Sequence, residues 1–307
     1  MRIVYLGTPE FAVKPFAAVV GCERAEVVAA VCNPDRPVGR KRILTAPPVK
    51  VFAESKGIPV YQYDKIRKEG VNDMRALKPD LMITCAFGQI LSQEILDIPR
   101  LGVINIHASL LPAYRGASPI NYAIKNGEKE TGITVMKTDI GIDTGDILLY
   151  KKIKIGDTET AGELSERLSE TGAVAIKEAI DLIADGNAKF VKQDESRATL
   201  TKIIKKEDAH IDFGDLSENV VNFVRAFNPA PVAFSYLRGE PFKVYKAKKA
   251  DGAVGAAGVV LKADGELLVG TKDGAVRLLS VQKAGGKRMD ASDFLRGGNI
   301  AVGDGLE

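Results

Sequence analysis

Cysteine is scarce in this chain: Cys22, Cys32 and Cys85 are the only three in 307 residues, widely spaced and never as Cys-x-x-Cys. An odd, scattered set leaves no basis for a disulfide framework or a thiolate zinc site. The β-like apolar surroundings of Cys32 and Cys85 read instead as the setting of buried structural thiols. Long apolar runs are also missing, and no stretch approaches the roughly 18 consecutive apolar residues of a membrane span. The opening Met1-Arg2-Ile3-Val4-Tyr5-Leu6-Gly7 enters a strand-like run at once. It has the layout of neither a signal nor a transit peptide. A cytoplasmic protein without membrane attachment is the expectation. Net charge is only +3, so any nucleic-acid contact must come from local clusters and not from an overall field.

Phosphate-binding fingerprints are absent as well. The first strand runs into Gly7-Thr8-Pro9-Glu10-Phe11, where a dinucleotide-binding chain would carry G-x-G-x-x-G. No G-x-x-x-x-G-K-[ST] occurs either. A Rossmann-like sheet without a nicotinamide, flavin or ATP cofactor is therefore expected. No histidine–carboxylate cluster has metal-ligand spacing, so no metal is expected.

What is present is an alternation of strands and helices. With 45% apolar and 27% charged residues, the composition is that of an ordinary soluble globular chain, and its length allows two domains. Apolar runs predict strands at Arg2–Leu6, Val27–Val31, Leu81–Ala86, Gly102–His107, Ile133–Lys137 and Ile147–Ile155, with helices at Pro48–Lys56 and Ile120–Asn126 among them. This alternation implies an α/β domain with a mostly parallel sheet and helices on both faces. Thr160 and Glu163 have capping-box spacing. Helical periodicity then continues to Ile183, and Gly186 stands where a C-terminal cap belongs. From about Lys189 to Lys206 the pattern weakens and charge rises, which reads as a linker. Next come a short helix at Ser217–Phe227 and the stop Asn228-Pro229-Ala230-Pro231. Five short strands follow, at Ala233–Leu237, Phe242–Ala247, Gly258–Lys262, Leu267–Thr271 and Val276–Val281, with hairpin signals at Asp264-Gly265 and Asp273-Gly274. The expected organisation is a catalytic domain over 1–188, a linker over 189–206, and a small OB-like β-barrel over 207–307.

Histidine, the commonest acid–base residue near neutral pH, occurs only at 107 and 210. A lone histidine is usually a satisfied structural residue. His107, however, follows Asn105 at the end of a buried strand, and strand alternation puts the two on one face, with Ser109 if the strand persists. Strand carboxyl ends are where ligands bind in open α/β sheets. The segment Asp139-Ile140-Gly141-Ile142-Asp143-Thr144-Gly145-Asp146 forms a tight Asp/Gly loop after the Ile133–Lys137 strand. By itself such a loop reads as a surface turn.

Taken together, Asn105-x-His107-x-Ser109-Leu110-Leu111-Pro112 and Asp143, 36 residues after the histidine in Gly-Ile-Asp-Thr-Gly-Asp, resemble the folate-dependent formyltransferases. Further segments resemble the branch of that family that formylates methionyl-tRNA. They are Gly7-Thr8-Pro9-Glu10-Phe11-Ala12, Asn33 through Arg40, Pro48-Val49-Lys50, and Arg225-Ala226-Phe227-Asn228-Pro229. The resemblance spans nearly the whole chain. It departs at Ala230, where an aromatic often follows Asn-Pro, and at Lys41, where glycine often follows the loop arginine.

The resemblance implies transfer of formyl from 10-formyltetrahydrofolate, as co-substrate, to the amine of initiator methionyl-tRNA. Asn105 and His107 would stabilise the oxyanion, and Asp143 would orient His107 and hold a water for proton relay. The reduced folate would lie against Phe87, Gln89, Ile90, Leu91, Ser109, Leu110, Leu111, Pro112 and the backbone from Asp139 to Asp143. The basic segment 35–50 would enter the tRNA acceptor end through Arg36, Arg40, Lys41 and Arg42, with Arg40 matching the family's key arginine, and Lys206 would add a linker contact. A monomer is expected. The alternatives are a formyltransferase acting on an amino sugar or purine precursor, a formyl-folate hydrolase, and a non-catalytic RNA-binding protein.

Overall fold

Runs of β-branched and aliphatic residues with no polar interruption become strands buried on both faces. In this computed structural model, which describes residues 1–39 and 41–307, such runs form the central β1 (Arg2–Gly7) and β6 (Leu81–Cys85), and the same sheet holds β2 (Glu26–Cys32), β5 (Val60–Gln62), β7 (Val103–His107), β9 (Glu130–Lys137) and, partly exposed at one edge, β10 (Ile147–Lys154). Between them fall the exposed hairpin strands β3 (Arg36–Val38) and β4 (Ile43–Thr45) and the two-residue β8 (Arg115–Gly116). The seven-stranded sheet has the order β10-β9-β7-β6-β1-β2-β5. β1 pairs in parallel with β2 and β6, as do β2 with β5 and β6 with β7, whereas β7 and β9 are antiparallel. Six of these strands lie within three residues of their sequence-predicted limits, whereas β5 was not among the strands expected from sequence. The chain moves from β1 to β2 on one side and later returns to β6 on the other. The carboxyl ends of β1 and β6 therefore flank the point where strand order reverses, the usual place for a ligand crevice.

The chain divides into two compact units. The first comprises Met1–Gly116, Glu130–Ile153 and Ser165–Leu200. Its helices are α1 (Val13–Val20), α2 (Pro48–Ser55), α3 (Ile66–Glu69), α4 (Val71–Leu77) and α5 (Gln93–Leu96). One face of the sheet packs Val4, Leu6, Val31 and Met82 against Ile66, Met74 and Ile95.

The second unit comprises Ala117–Lys129, Lys154–Leu164 and Thr201–Glu307. It holds α6 (Pro119–Lys125), α8 (Ser217–Ala226) and an antiparallel sheet. The long helix α7 (Ala161–Ala184) passes from this unit into the first. It starts at the expected capping box, where Thr160 N–H donates to Glu163 Oε2 at 2.8 Å and Glu163 N–H donates to Thr160 Oγ1 at 3.3 Å. Gly186 sits beyond its end with φ +70°, as a left-handed cap requires. Past the short β11 (Leu200–Thr201), the sheet strands are β12 (Phe234–Leu237), β13 (Glu240–Ala250), β14 (Val260–Asp264), β15 (Glu266–Thr271) and β16 (Gly274–Lys283), in the order β12-β13-β16-β15-β14. A short β17 (Met289–Asp290) pairs with β16, and α9 (Ala291–Arg296) follows. The sheet curls, and residues 303–307 bridge its two edge strands: Leu237 pairs with Leu306, and Val259 pairs with Gly305. This closing segment was not among the strands expected from sequence. Among the described residues, no helix is long and apolar enough to cross a membrane.

Candidate active site

β7 alternates Val103, Ile104, Asn105, Ile106 and His107, and its pairing fixes which polar side chains share a face. Asn105 lies opposite Thr84 on β6 and Met136 on β9, and His107 lies opposite Thr134. The Thr84 hydroxyl donates to Asn105 Oδ1 at 2.9 Å, so Asn105 Nδ2 points the other way and donates to Asp143 Oδ1 at 3.3 Å. His107 is only 5% exposed. Its Nε2 lies 2.9 Å from the Tyr114 carbonyl. A carbonyl only accepts, so Nε2 carries hydrogen. Nδ1 faces Asp143 Oδ2 at 3.5 Å. Asn105, His107 and Asp143 thus share one small half-buried space.

Asp143 belongs to the loop after β9 and adopts the left-handed region, φ +52°. That conformation costs an L-residue roughly 1–2 kcal/mol, least for Asp and Asn. It is held here from two directions. The Gly116 N–H donates to Asp143 Oδ2 at 2.8 Å, while Gln193 Nε2 donates to the Asp143 and Gly145 carbonyls at 2.8 Å each. Gly145 must be glycine, because a β-carbon there would collide with the Lys137 carbonyl. Asp139 shapes the same loop by accepting from Gly141 N–H at 3.1 Å and Thr144 Oγ1 at 2.7 Å. Ile140 and Ile142 stand exposed at its crest.

Gln193 is itself anchored. Its Oε1 accepts from Arg115 Nε at 3.0 Å and Nη2 at 2.8 Å. The other edge of the guanidinium binds both oxygens of Glu195, at 2.7 and 2.8 Å. The Glu195 carboxylate raises the Arg115 pKa, and Arg115 holds the Glu195 carboxyl below its ordinary value. The guanidinium stays charged although Arg115 is 4% exposed.

The segment after β7 does not continue as a strand. Ser109 is buried past its end, its hydroxyl donates to the Ala113 carbonyl at 2.6 Å, and its own carbonyl accepts from Thr134 Oγ1. The expectation that Ser109 extends the Asn105–His107 row therefore does not hold, because a turn through Leu110, Leu111 and Pro112 begins there. Leu111 is buried with Met136 and Ile147, Leu110 and Pro112 are half-buried, and the Leu111 carbonyl accepts from the Tyr150 hydroxyl at 2.8 Å. Phe87 and Leu91 pack in the core cluster, whereas Ile90 is 68% exposed. Gln89 spends its amide on Asn33 Oδ1 and the Tyr63 carbonyl, and its carbonyl oxygen accepts from Ile66 N–H. Cys85 lies beneath at the end of β6, its thiol pushed up to about 12 by burial. All three cysteines are free and buried.

Of the basic residues, Arg36, Lys41 and Arg42 are exposed on and around the β3–β4 hairpin, and Lys206 is exposed beside a short 3-10 turn. Arg40 lies outside the described residues. Among the described residues, no group of three or more His, Cys, Asp or Glu gathers as a metal site. Sequence reasoning did not single out Thr84, Tyr114, Arg115, Gly116 or Gln193. Their roles depend on partners distant in sequence, and no periodic signal marks them.

The formyl transferase family model matches residues 1–180, and the formyl transferase C-terminal domain model matches residues 203–299. A methionyl-tRNA formyltransferase of Bacillus licheniformis is 44% identical over 98% of this chain and 96% of its own length. One of Geobacter sulfurreducens is 45% identical over 100% and 96%. Among solved structures, HypX from Aquifex aeolicus in complex with tetrahydrofolic acid superposes with a TM-score of 0.65 at 20% identity, over 96% of this chain. The chain spans about half of that protein, 47%, and the likeness is one of fold. The site built on Asn105, His107 and Asp143 thus sits in a chain that belongs to the methionyl-tRNA formyltransferase family.

Proposed function

We propose that this protein transfers the formyl group of 10-formyltetrahydrofolate to the free amino group of methionyl-initiator tRNA. The convergence of Asn105, His107 and Asp143 at the carboxyl end of β7 carries this reading. The amine nitrogen attacks the formyl carbon, the formyl oxygen takes negative charge, and the bond to the folate nitrogen then breaks. Asn105 Nδ2 has a second hydrogen to give the oxyanion. With Nε2–H committed to Tyr114, Nδ1 is the His107 nitrogen that exchanges a proton. Asp143 holds that edge, and a proton leaving the attacking amine passes by this group to the departing folate nitrogen. Loss of one aimed donor in such chemistry typically costs about 10²–10³ in rate.

The half-buried Leu110–Pro112 turn, the exposed Ile90 and the Asp139–Asp143 backbone offer apolar surface and backbone groups for the pterin. Arg36, Lys41, Arg42 and Lys206, together with Arg40, would meet tRNA phosphates. The curled β unit would serve as an OB-like RNA-binding module. A single-turnover assay tests the reading: labelled formyl-folate is offered to initiator methionyl-tRNA, to elongator methionyl-tRNA and to free amino sugars. Transfer to the initiator is expected. Equal transfer to a free amino sugar, or formate release without any acceptor, would refute it.

A further inference from the structure

We propose that Gln193, locked by Arg115, is a positioning residue for formyl transfer that acts through Asp143. The inference rests on the functional reading above.

The two carbonyls that Gln193 Nε2 grips belong to residues 143 and 145. One amide group with two hydrogens therefore fixes the backbone on both sides of Thr144. Asp143 is the left-handed residue of this loop, and a loop leaves that conformation unless its surroundings hold it. Rotation there would carry Oδ1 away from Asn105 and Oδ2 away from His107, dispersing the contacts at 3.3 and 3.5 Å.

The direction of the amide matters as much as its place. If it were flipped, Gln193 would set a carbonyl oxygen against two carbonyls. Arg115 prevents the flip, because two of its N–H groups demand an oxygen at Oε1. Glu195 holds the opposite side of the guanidinium, so the fork cannot swing. Residue 116, next in sequence, supplies the N–H on the Asp143 carboxylate. The pair 115–116 thus secures Asp143 twice, at its backbone through Gln193 and at its side chain directly. Only a planar, multiply donating cation meets the Arg115 geometry, and lysine does not.

The test is kinetic, on the full chain with formyl-folate and initiator methionyl-tRNA. Gln193→Met should lower kcat by about 10²-fold, the scale of a misplaced catalytic group, with little change in either KM. Gln193→Glu keeps an acceptor for Arg115 but turns a carboxylate oxygen onto the two carbonyls, and it should lose at least as much. If Gln193 served only to satisfy Arg115, Gln193→Glu would stay near wild type, and that result overturns the proposal. If Gln193→Met fails to fold, Gln193→Glu carries the same test. On an Asp143→Asn background, Gln193→Met should cost no more than about 2-fold, since both changes act at one point. A full multiplicative loss there would overturn the proposal. So would normal kcat in Gln193→Met when Asp143→Asn is crippled. Absence of transfer by wild-type protein would instead sink the functional reading itself.

Discussion

The His107 Nε2–H gives its hydrogen to the Tyr114 carbonyl at 2.9 Å, and this contact decides which edge of the imidazole meets the reaction. The Nδ1 edge is left facing Asp143, where the formyl group and the amine would meet. The tautomer is thus set by a backbone group seven residues beyond the strand end, with no carboxylate behind Nε2.

Replacing His107 by alanine should reduce transfer by about 10²–10³-fold. It also leaves the Tyr114 carbonyl without this donor, which should cost about 1–3 kcal/mol of stability. Single-turnover transfer, tRNA affinity and urea unfolding separate the effects. Affinity for tRNA should stay near that of wild type. A variant that keeps wild-type transfer would remove His107 from the mechanism.

Thr84 gives a subtler test. Its hydroxyl donates to Asn105 Oδ1 and so directs Nδ2 toward Asp143. Thr84→Val is nearly isosteric but removes that hydrogen bond, which is worth about 1 kcal/mol. Transfer should fall by about 3–10-fold as the Asn105 amide loses its preferred direction, while folate affinity changes little. Unchanged kcat would mean that Asp143 alone orients the amide.

The strands were legible because burial on both faces writes itself as uninterrupted apolar runs, as in Leu81–Cys85, and the Thr160–Glu163 box marked the start of α7. The support of the site was not legible. Gln193 and Glu195 fall in the 189–206 stretch whose weak pattern reads as a linker, yet they reach Asp143 and Arg115 through hydrogen bonds. Pairing of polar side chains across 50 or 80 positions leaves no periodicity. The 303–307 segment failed to register for a related reason. Ala301 through Glu307 carries too few apolar residues to read as a strand, and its order comes from the two sheet edges it bridges.

The β3–β4 hairpin presents Arg36, Lys41 and Arg42 to solvent. If these side chains meet tRNA phosphates, each alanine substitution should weaken binding and lower the slope of log K against log salt by about 1. Titrating tRNA at several salt concentrations measures this directly. The folate KM should not move. A variant that weakens binding with an unchanged slope would mean that the side chain contacts something other than phosphate.

The capping box gives a pH signature with a definite sign. Thr160 donates to Glu163 Oε2 through both its N–H and its hydroxyl, each at 2.8 Å. The backbone hydrogen bond first, and the hydroxyl second, hold the Glu163 carboxyl below its ordinary value. The folded form therefore binds its proton more weakly than the unfolded chain. The resulting stabilisation is fully present above the unfolded value, about pH 4.3, and is lost as pH falls through the lower folded value. Thr160→Ala should cost about 1 kcal/mol near neutrality, through loss of the cap. Glu163→Gln keeps a neutral acceptor, so its deficit relative to wild type should shrink as pH drops below about 4. Urea unfolding of the three proteins across that range decides the matter. A Glu163→Gln deficit that stays constant down to acid pH would show that the carboxylate charge plays no part in starting α7.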